Sequence, residues 1–299
     1  MLISTGRALA MTATLALIAT TGQAQTARPS SSGVLMLGTG NPMPDPDRFG
    51  PATAVIADSA AYLVDAGDGV MRRWRAAQAQ HLVDGVTLHR IVFLTHLHSD
   101  HTQGLPALIW WLWMTDQDQP ITIYGPRGTR AMTGHILAAW SEDIAIRIGE
   151  GGEFAGKPGP NVKVHEIDPG IVYQDSLVTV TAFAVHHGTW PQAFGYRFNM
   201  PDKVIVISGD AAPPSAIPGQ CRQCDILVHE GGLPEAKATS YYHAFHSTAE
   251  EIARVANATH PRLLVLTHQR PGVNQPGLDI IRANYAGRVV IASDLDVYH

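Results

Sequence analysis

Apolar residues fall along this chain in short runs, each closed by a turn signal or a polar cluster. Runs at 34–37, 54–57, 61–64, 91–94, 121–124, 226–228, 263–266 and 289–291 are rich in Val, Ile, Leu and Ala. Their shortness and composition predict buried strands. Residues 178–185 alternate apolar with polar, as a half-buried strand does. Residues 196–200 and 203–208 read as a hairpin about Pro201-Asp202. Helices are predicted at 70–80, 104–114, 128–141 and 248–259, the second carrying Trp110, Trp111 and Trp113. Residues 149–160 are Gly/Pro-rich and read as an exposed loop.

Strands come first, then strand–helix alternation, then strands and alternation again. That order predicts an α/β fold in which two sheets pack face to face with helices outside, a four-layer αββα sandwich. There is no fixed repeat and no linker that would split the chain, so 33–299 reads as one domain. Residues 25–32 read as a flexible lead-in. Gly38-Thr39-Gly40-Asn41-Pro42 is a glycine-rich turn with no helix pattern after it, so it is a poor phosphate cradle.

The N-terminus adds a targeting expectation. Arg7 precedes the Ala/Leu-rich stretch 8–20, and small residues follow at Gly22-Gln23-Ala24. This reads as a cleaved signal peptide over 1–24. The apolar stretch is shorter than the ~20 residues of a membrane span, and no later stretch is long enough. The expected location is periplasmic or secreted, with no membrane span after cleavage. Cys221 and Cys224 are the chain's two cysteines. In an oxidising compartment they form a tight disulfide or stay as two thiols. A structural zinc site would need two further ligands at matching spacing.

Composition changes this picture little: 299 residues, 45% hydrophobic and 16% charged, suit an ordinary globular enzyme. A formal charge of −5 argues against nucleic acid as partner, because phosphate binding usually draws on a basic surface. The expected export and this acidic balance together favour a small-molecule substrate over nucleic acid.

The 15 histidines matter more. His96, His98, Asp100 and His101 follow directly on the apolar run 91–94. Imidazole and carboxylate suit zinc and related metals. Alternate side chains of an extended segment share a face, so His96 and His98 can hold one metal. A turn would give Asp100 and His101 to a second. Two metals about 3.5–4 Å apart can activate water and clamp the oxygens of a displacement. A metal-scavenging histidine tract would lie in polar, low-complexity sequence, whereas apolar elements flank this cluster. Further ligands are expected where strands end: His186 or His187, Asp210 and His268.

These motifs resemble the metallo-β-lactamase superfamily, through His96-x-His98-x-Asp100-His101, Ser208-Gly209-Asp210 and Thr267-His268. The likeness runs from about residue 34 to residue 298. Within the superfamily, Leu37-Gly38-Thr39-Gly40-Asn41-Pro42, Tyr124-Gly125-Pro126, His187 before Gly195-Tyr196-Arg197, His229-Glu230 and His246-Ser247-Thr248 resemble the ribonuclease Z-like branch. Secreted arylsulfatase-like and cyclic-nucleotide phosphodiesterase-like enzymes share it. The resemblance implies two zinc ions, with manganese or iron as alternatives. It places His96, His98 and His187 on one ion and Asp100, His101 and His268 on the other, with Asp210 bridging. His187 is preferred to His186 because the family histidine precedes the stretch before Gly-Tyr. Catalytic roles are implied for Asp100, for His246 as the acid that protonates the leaving group, and for Glu230, which orients it. A homodimer is compatible with the family.

The chain departs from the pattern at Ala211, where threonine is usual, in a slightly longer 187–195 stretch, and in 141–160, too short for a long tRNA-gripping arm. Together these readings favour an exported dinuclear zinc hydrolase of phosphate or sulfate esters. The alternatives are a ribonuclease Z-like tRNA 3′-end endonuclease and a lactonase or β-lactamase-type carbonyl hydrolase. In the last, Trp110, Trp111, Trp113 and Trp190 could line an acyl pocket.

Overall fold

A computed structural model describes residue 1 and residues 32–213, 215–270 and 274–299. The expected signal peptide and most of the lead-in lie outside the described residues.

The first half of the chain builds one sheet. Its strands are β1 (Gly33–Gly38), β2 (Ala52–Ala57), β3 (Ala60–Val64), β4 (Thr87–Phe93), β5 (Ile121–Gly125) and β6 (Val162–Glu166). Helices α1 (Val70–Ala79), α2 (Ser99–Thr102), α3 (Leu105–Thr115), α4 (Thr129–Ala139) and α5 (Ser141–Ile148) interleave with them. The second half supplies β7 (Gly170–Gln174), β8 (Thr179–Ala184), β9 (Phe194–Asn199), β10 (Val204–Ile207), β11 (Ile226–Glu230), β12 (Leu263–Thr267) and β13 (Val289–Ile291). Its helices are α6 (Ile217–Gln220), α7 (Ser240–Phe245), α8 (Ala249–Thr259) and α9 (Asn274–Asn284). The last strand, β14 (Val297–Tyr298), returns to the first sheet beside β1. The sheet orders are β14-β1-β2-β3-β4-β5-β6 and β13-β12-β11-β10-β9-β8-β7.

Three apolar layers hold the four-layer sandwich together. Between the sheets, Val34, Tyr62, Phe93, Val180, Phe198 and Val228 form a continuous core. Phe93 sits at its centre, with its ring 5.2–5.7 Å from those of Tyr124, Tyr196 and Phe198. The outer face of the first sheet packs Leu35, Leu63 and Val92 against Trp74 of α1 and Leu108 of α3. The outer face of the second packs Val206 and Leu227 against Ile252 of α8 and Ile281 of α9. Strands buried on both faces need apolar side chains at successive positions, which is why 34–37 and 226–228 read as unbroken runs. Each fully buried side chain of this size contributes about 1.5–3 kcal/mol.

The predicted helix at 128–141 is two: α4 stops at Ala139, and α5 begins at Ser141 after a break at Trp140. The buried Cys221 and Cys224 are joined in a disulfide in the turn between α6 and β11. Among the described residues, no helix is long and apolar enough to cross a membrane.

Strand direction brings the candidate residues together. β3, β4 and β5 run parallel, as do β10, β11 and β12. β8 is antiparallel to β9, which is antiparallel to β10, so β8 runs with the parallel set. Their C-terminal ends share one edge of the sandwich, where Asp65, the 95–101 segment, His187, Asp210, Glu230 and His268 emerge.

Candidate metal centre

The segment after β4 carries most of the chemistry. Phe93 and Leu94 are buried, so the chain leaves the sheet core directly into Thr95 and His96. His98 caps α2, and that short helix turns Asp100 and His101 back inward. Backbone bonds from Ala66 N to His101 O and from Gly104 N to Ala66 O tie this turn to the segment after β3.

Ring nitrogens and carboxylates then converge in two groups. His96 Nε2 lies 2.9 Å from His98 Nδ1, and His187 Nε2 lies 3.0 Å from the same atom. With Asp210 these form one cluster of ligand atoms, and Asp100, His101 and His268 form another. Asp210 joins them: Oδ1 is 3.4 Å from His101 Nε2, while Oδ2 is 3.4 Å from His268 Nε2 and 3.9 Å from His187 Nε2. Asp100 Oδ2 stands 3.2 Å from His268 Nε2 and 3.6 Å from His101 Nε2. All seven residues expected as ligands therefore meet at one place. His186 does not. Its side chain is exposed, and its backbone carbonyl accepts from Ala212 N, so the neighbour His187 is the one turned inward.

The atoms fit a metal. His101 Nε2 is buried without a hydrogen-bond partner although two carboxylates flank it. A buried polar atom in that position wants a ligand. Around the cluster, partners orient the rings: His101 Nδ1 donates to Asp65 at 2.8 Å, and His187 Nδ1 donates to the Phe245 carbonyl at 2.7 Å. Such outer bonds leave Nε2 as the lone-pair atom facing inward. Asp65 also accepts from Thr95 N and Thr95 Oγ1. Asp65 and His268 both hold left-handed backbone, at φ 61° and 59°, a conformation that costs energy away from glycine.

The electrostatics follow from burial and crowding. Burial lowers the His96 pKa well below the ordinary histidine value, with neighbouring His101 adding to the effect. Burial likewise takes His187 down to about 4. Burial opposes charge on Asp210, but the imidazoles of His268 and His101 outweigh it and hold that carboxylate well below its usual range. Burial thus keeps His96 and His187 in the neutral donor state that divalent metals require, whereas on His101 burial is outweighed by the Asp210 and Asp65 carboxylates, which raise its pKa well above the ordinary histidine value.

His246 stands next to this cluster at the C-terminal end of α7. Its Nδ1 is 3.2 Å from Glu230 Oε2 and 3.8 Å from Asp210 Oδ2. Glu230 is buried and also accepts from Ser247 N at 2.9 Å. Burial works against a charged His246, but Glu230 overcomes it and raises the pKa to about 9. A cleft of about 410 Å³ opens from His246 and His268 to Met43, Leu233, Lys237, Tyr241, Tyr242 and Arg270.

This geometry agrees with the likeness of the chain to known proteins. Residues 61–269 match the family described as the beta-lactamase superfamily domain. The chain belongs to the metallo-β-lactamase superfamily. As a member of it, the protein is a metal-dependent hydrolase. It is 31% identical over 277 residues to a ribonuclease Z of Mycobacterium bovis, a match covering 88% of this chain and 96% of the relative. The metallo-beta-lactamase fold protein YhfI from Bacillus subtilis matches with a TM-score of 0.70 at 17% identity, covering 89% and 98% of the two chains. Human tRNase Z, short form, matches with a TM-score of 0.66 at 24% identity, covering 89% and 98%. The ribonuclease Z relatives weaken the expectation, drawn from net charge, that nucleic acid is no partner of this superfamily member.

The sequence missed the residues that support the cluster. Asp65, in Asp65-Ala66-Gly67-Asp68-Gly69, reads as part of a turn, yet it lies at a strand end like the ligands. Of the tryptophans that could line an acyl pocket, Trp113 is buried beside Trp110 and Phe154. Trp190 instead reaches the cluster, with its Nε1 2.8 Å from His98 Nε2.

Proposed function

We propose that this protein is a metal-dependent phosphodiesterase of ribonuclease Z type that cuts RNA at a 3′ extension. The observation that carries the reading is the Glu230–His246–Asp210 row beside the ligand cluster. A ribose oxygen leaves poorly unless it is protonated, so its departure needs a positioned acid. An aryl sulfate has a better leaving group and needs such an acid less. The ribonuclease Z relatives support the same substrate class.

In this proposal His96, His98 and His187 would hold one ion and Asp100, His101 and His268 the other, with the Asp210 carboxylate set between the two groups. Zinc suits this donor set, with manganese or iron as alternatives. Bound metal would lower the pKa of water and polarise a phosphoryl oxygen. His246 donates its proton to the departing oxygen. Glu230 aims the His246 ring and favours its protonated form, while Ser247 N holds the Glu230 carboxylate still. Lys237 and Arg270 line the cleft and would supply positive charge to the phosphates of a bound strand. The test is incubation with a tRNA precursor carrying a 3′ trailer, with and without chelator. Metal-dependent release of the trailer supports the reading, and no cleavage after metal is restored overturns it.

A second reading keeps the expectation of export. The leader at 1–24 and the Cys221–Cys224 disulfide both favour an oxidising compartment. An exported enzyme would meet small phosphate or sulfate esters rather than tRNA precursors. N-terminal sequencing of protein from the periplasm, with turnover of bis-aryl phosphates and aryl sulfates, tests it. An uncleaved N-terminus on cytoplasmic protein would remove it.

A further inference from the structure

An imidazole that offers one nitrogen to a metal keeps its proton on the other, so the outer nitrogen needs an acceptor. Three histidines of the cluster satisfy this. His187 Nδ1 faces the Phe245 carbonyl, and His101 Nδ1 faces the Asp65 carboxylate. His96 Nδ1 is 3.0 Å from the Thr95 hydroxyl oxygen, whose own proton goes to Asp65.

His98 differs. Its Nδ1 points inward, towards Nε2 of His96 and of His187. Its outer Nε2 lies 2.8 Å from Trp190 Nε1, and the indole N–H of Trp190 donates to it. Indole nitrogen is a donor only. Accepting that bond puts the single proton of neutral His98 on Nδ1, the atom facing the cluster. Nδ1 then has no lone pair for a metal.

We propose that the Trp190–His98 hydrogen bond and metal held at His98 Nδ1 exclude each other, so that Trp190 is a brake on loading of the His96–His98–His187 site. The proposal rests on reading His98 as a ligand. On loading, the ring proton passes from Nδ1 to Nε2 by exchange with water, and no net proton is gained or lost. Two N–H groups would then face each other at the observed 2.8 Å, so the indole withdraws. Its surroundings permit this. Trp190 is only half-buried, and it lies on the turn that follows His187, where its backbone N–H donates to the His187 carbonyl. The indole meets the His98 ring edge-on, with centroids 5.0 Å apart.

The test compares zinc affinity of the full chain with that of Trp190→Phe, which keeps a ring and loses the N–H. Both proteins are stripped and titrated against a chromophoric chelator. Trp190→Phe is expected to bind zinc about two- to tenfold more tightly, the range one such hydrogen bond allows. Zinc binding with equal or weaker affinity overturns the role of Trp190 alone. Absence of zinc binding in both proteins overturns the ligand assignment and this inference with it. Should Trp190→Phe fail to fold, solvent exchange of ¹⁵N-labelled indole groups in the wild-type chain decides the matter. One protected indole N–H is expected to become exchangeable as zinc is added. Unchanged protection of every indole in zinc-saturated protein contradicts the proposal.

Discussion

His246 Nδ1 sits 3.2 Å from a carboxylate oxygen of Glu230, and that carboxylate is otherwise pinned by the backbone N–H of Ser247. A buried acid with a single geometry fixes the ring it contacts. If His246 protonates the leaving oxygen, His246→Ala should lower turnover of RNA by about 10²–10⁴-fold and leave metal content unchanged. The loss should be much smaller on bis-p-nitrophenyl phosphate, whose leaving group needs no acid. Equal losses on both substrates, measured as kcat, would place His246 in metal or substrate binding instead.

Asp65 gives a second prediction. It accepts from both His101 Nδ1 and the Thr95 N–H that starts the ligand segment. Asp65→Asn should weaken metal affinity about 10- to 100-fold, as loss of an outer partner does elsewhere. Chelator competition measures it. Unaltered affinity would mean that the His101 ring is held by its packing alone.

Gly188 links His187 to the His246 helix. Its φ is 55°, and a Cβ built there would lie 2.1 Å from the Phe245 ring. Its N–H also bonds to the Ala244 carbonyl at 2.7 Å. Gly188→Ala should therefore push Phe245 and His246 away from the cluster. We expect a loss of about 1–3 kcal/mol in stability together with a fall in activity larger than that of a surface control. Urea melts and kcat on one preparation check both.

Asp175 yields a pH prediction away from the site. Burial raises its pKa, but hydrogen bonds from Tyr62, Leu177 N, Tyr173 and Val178 N outweigh this and leave it below the usual carboxylate value. A depressed carboxylate stabilises the fold above the unfolded-state pKa, about 3.9. That contribution is lost as pH falls through the folded-state value. Asp175→Asn should thus lower the urea midpoint at pH 7, and the gap to wild type should close as pH falls through the folded-state value. A gap that stays constant with pH would deny the carboxylate its role.

Much of this was legible because the strands buried on both faces have no choice but unbroken apolar sequence. β6 and β7 escaped because each is the edge strand of its sheet and is largely exposed, with Ile171 at 68%. α9 opens with Asn274-Gln275-Pro276-Gly277, residues that predict a turn, and packing on α8 overrides them. The ligands were readable because each follows an apolar strand. Asp65 was not, because an aspartate in a glycine-rich turn signals the turn first, and a left-handed aspartate satisfies both demands. Trp190 reads in the sequence only as an aromatic that could line a pocket, since sequence spacing does not tell which ring nitrogen it will meet.

Asp210 faces both ligand groups, and the proposed dinuclear hydrolytic centre depends on it. The most direct measurement is metal stoichiometry by mass spectrometry on the full chain and on Asp210→Asn, read with turnover of a tRNA precursor carrying a 3′ trailer. The account predicts about two ions per wild-type chain, turnover abolished by chelator, and loss of both metal and activity in the variant. About one ion or fewer per chain in protein that still turns over at the wild-type rate would contradict it.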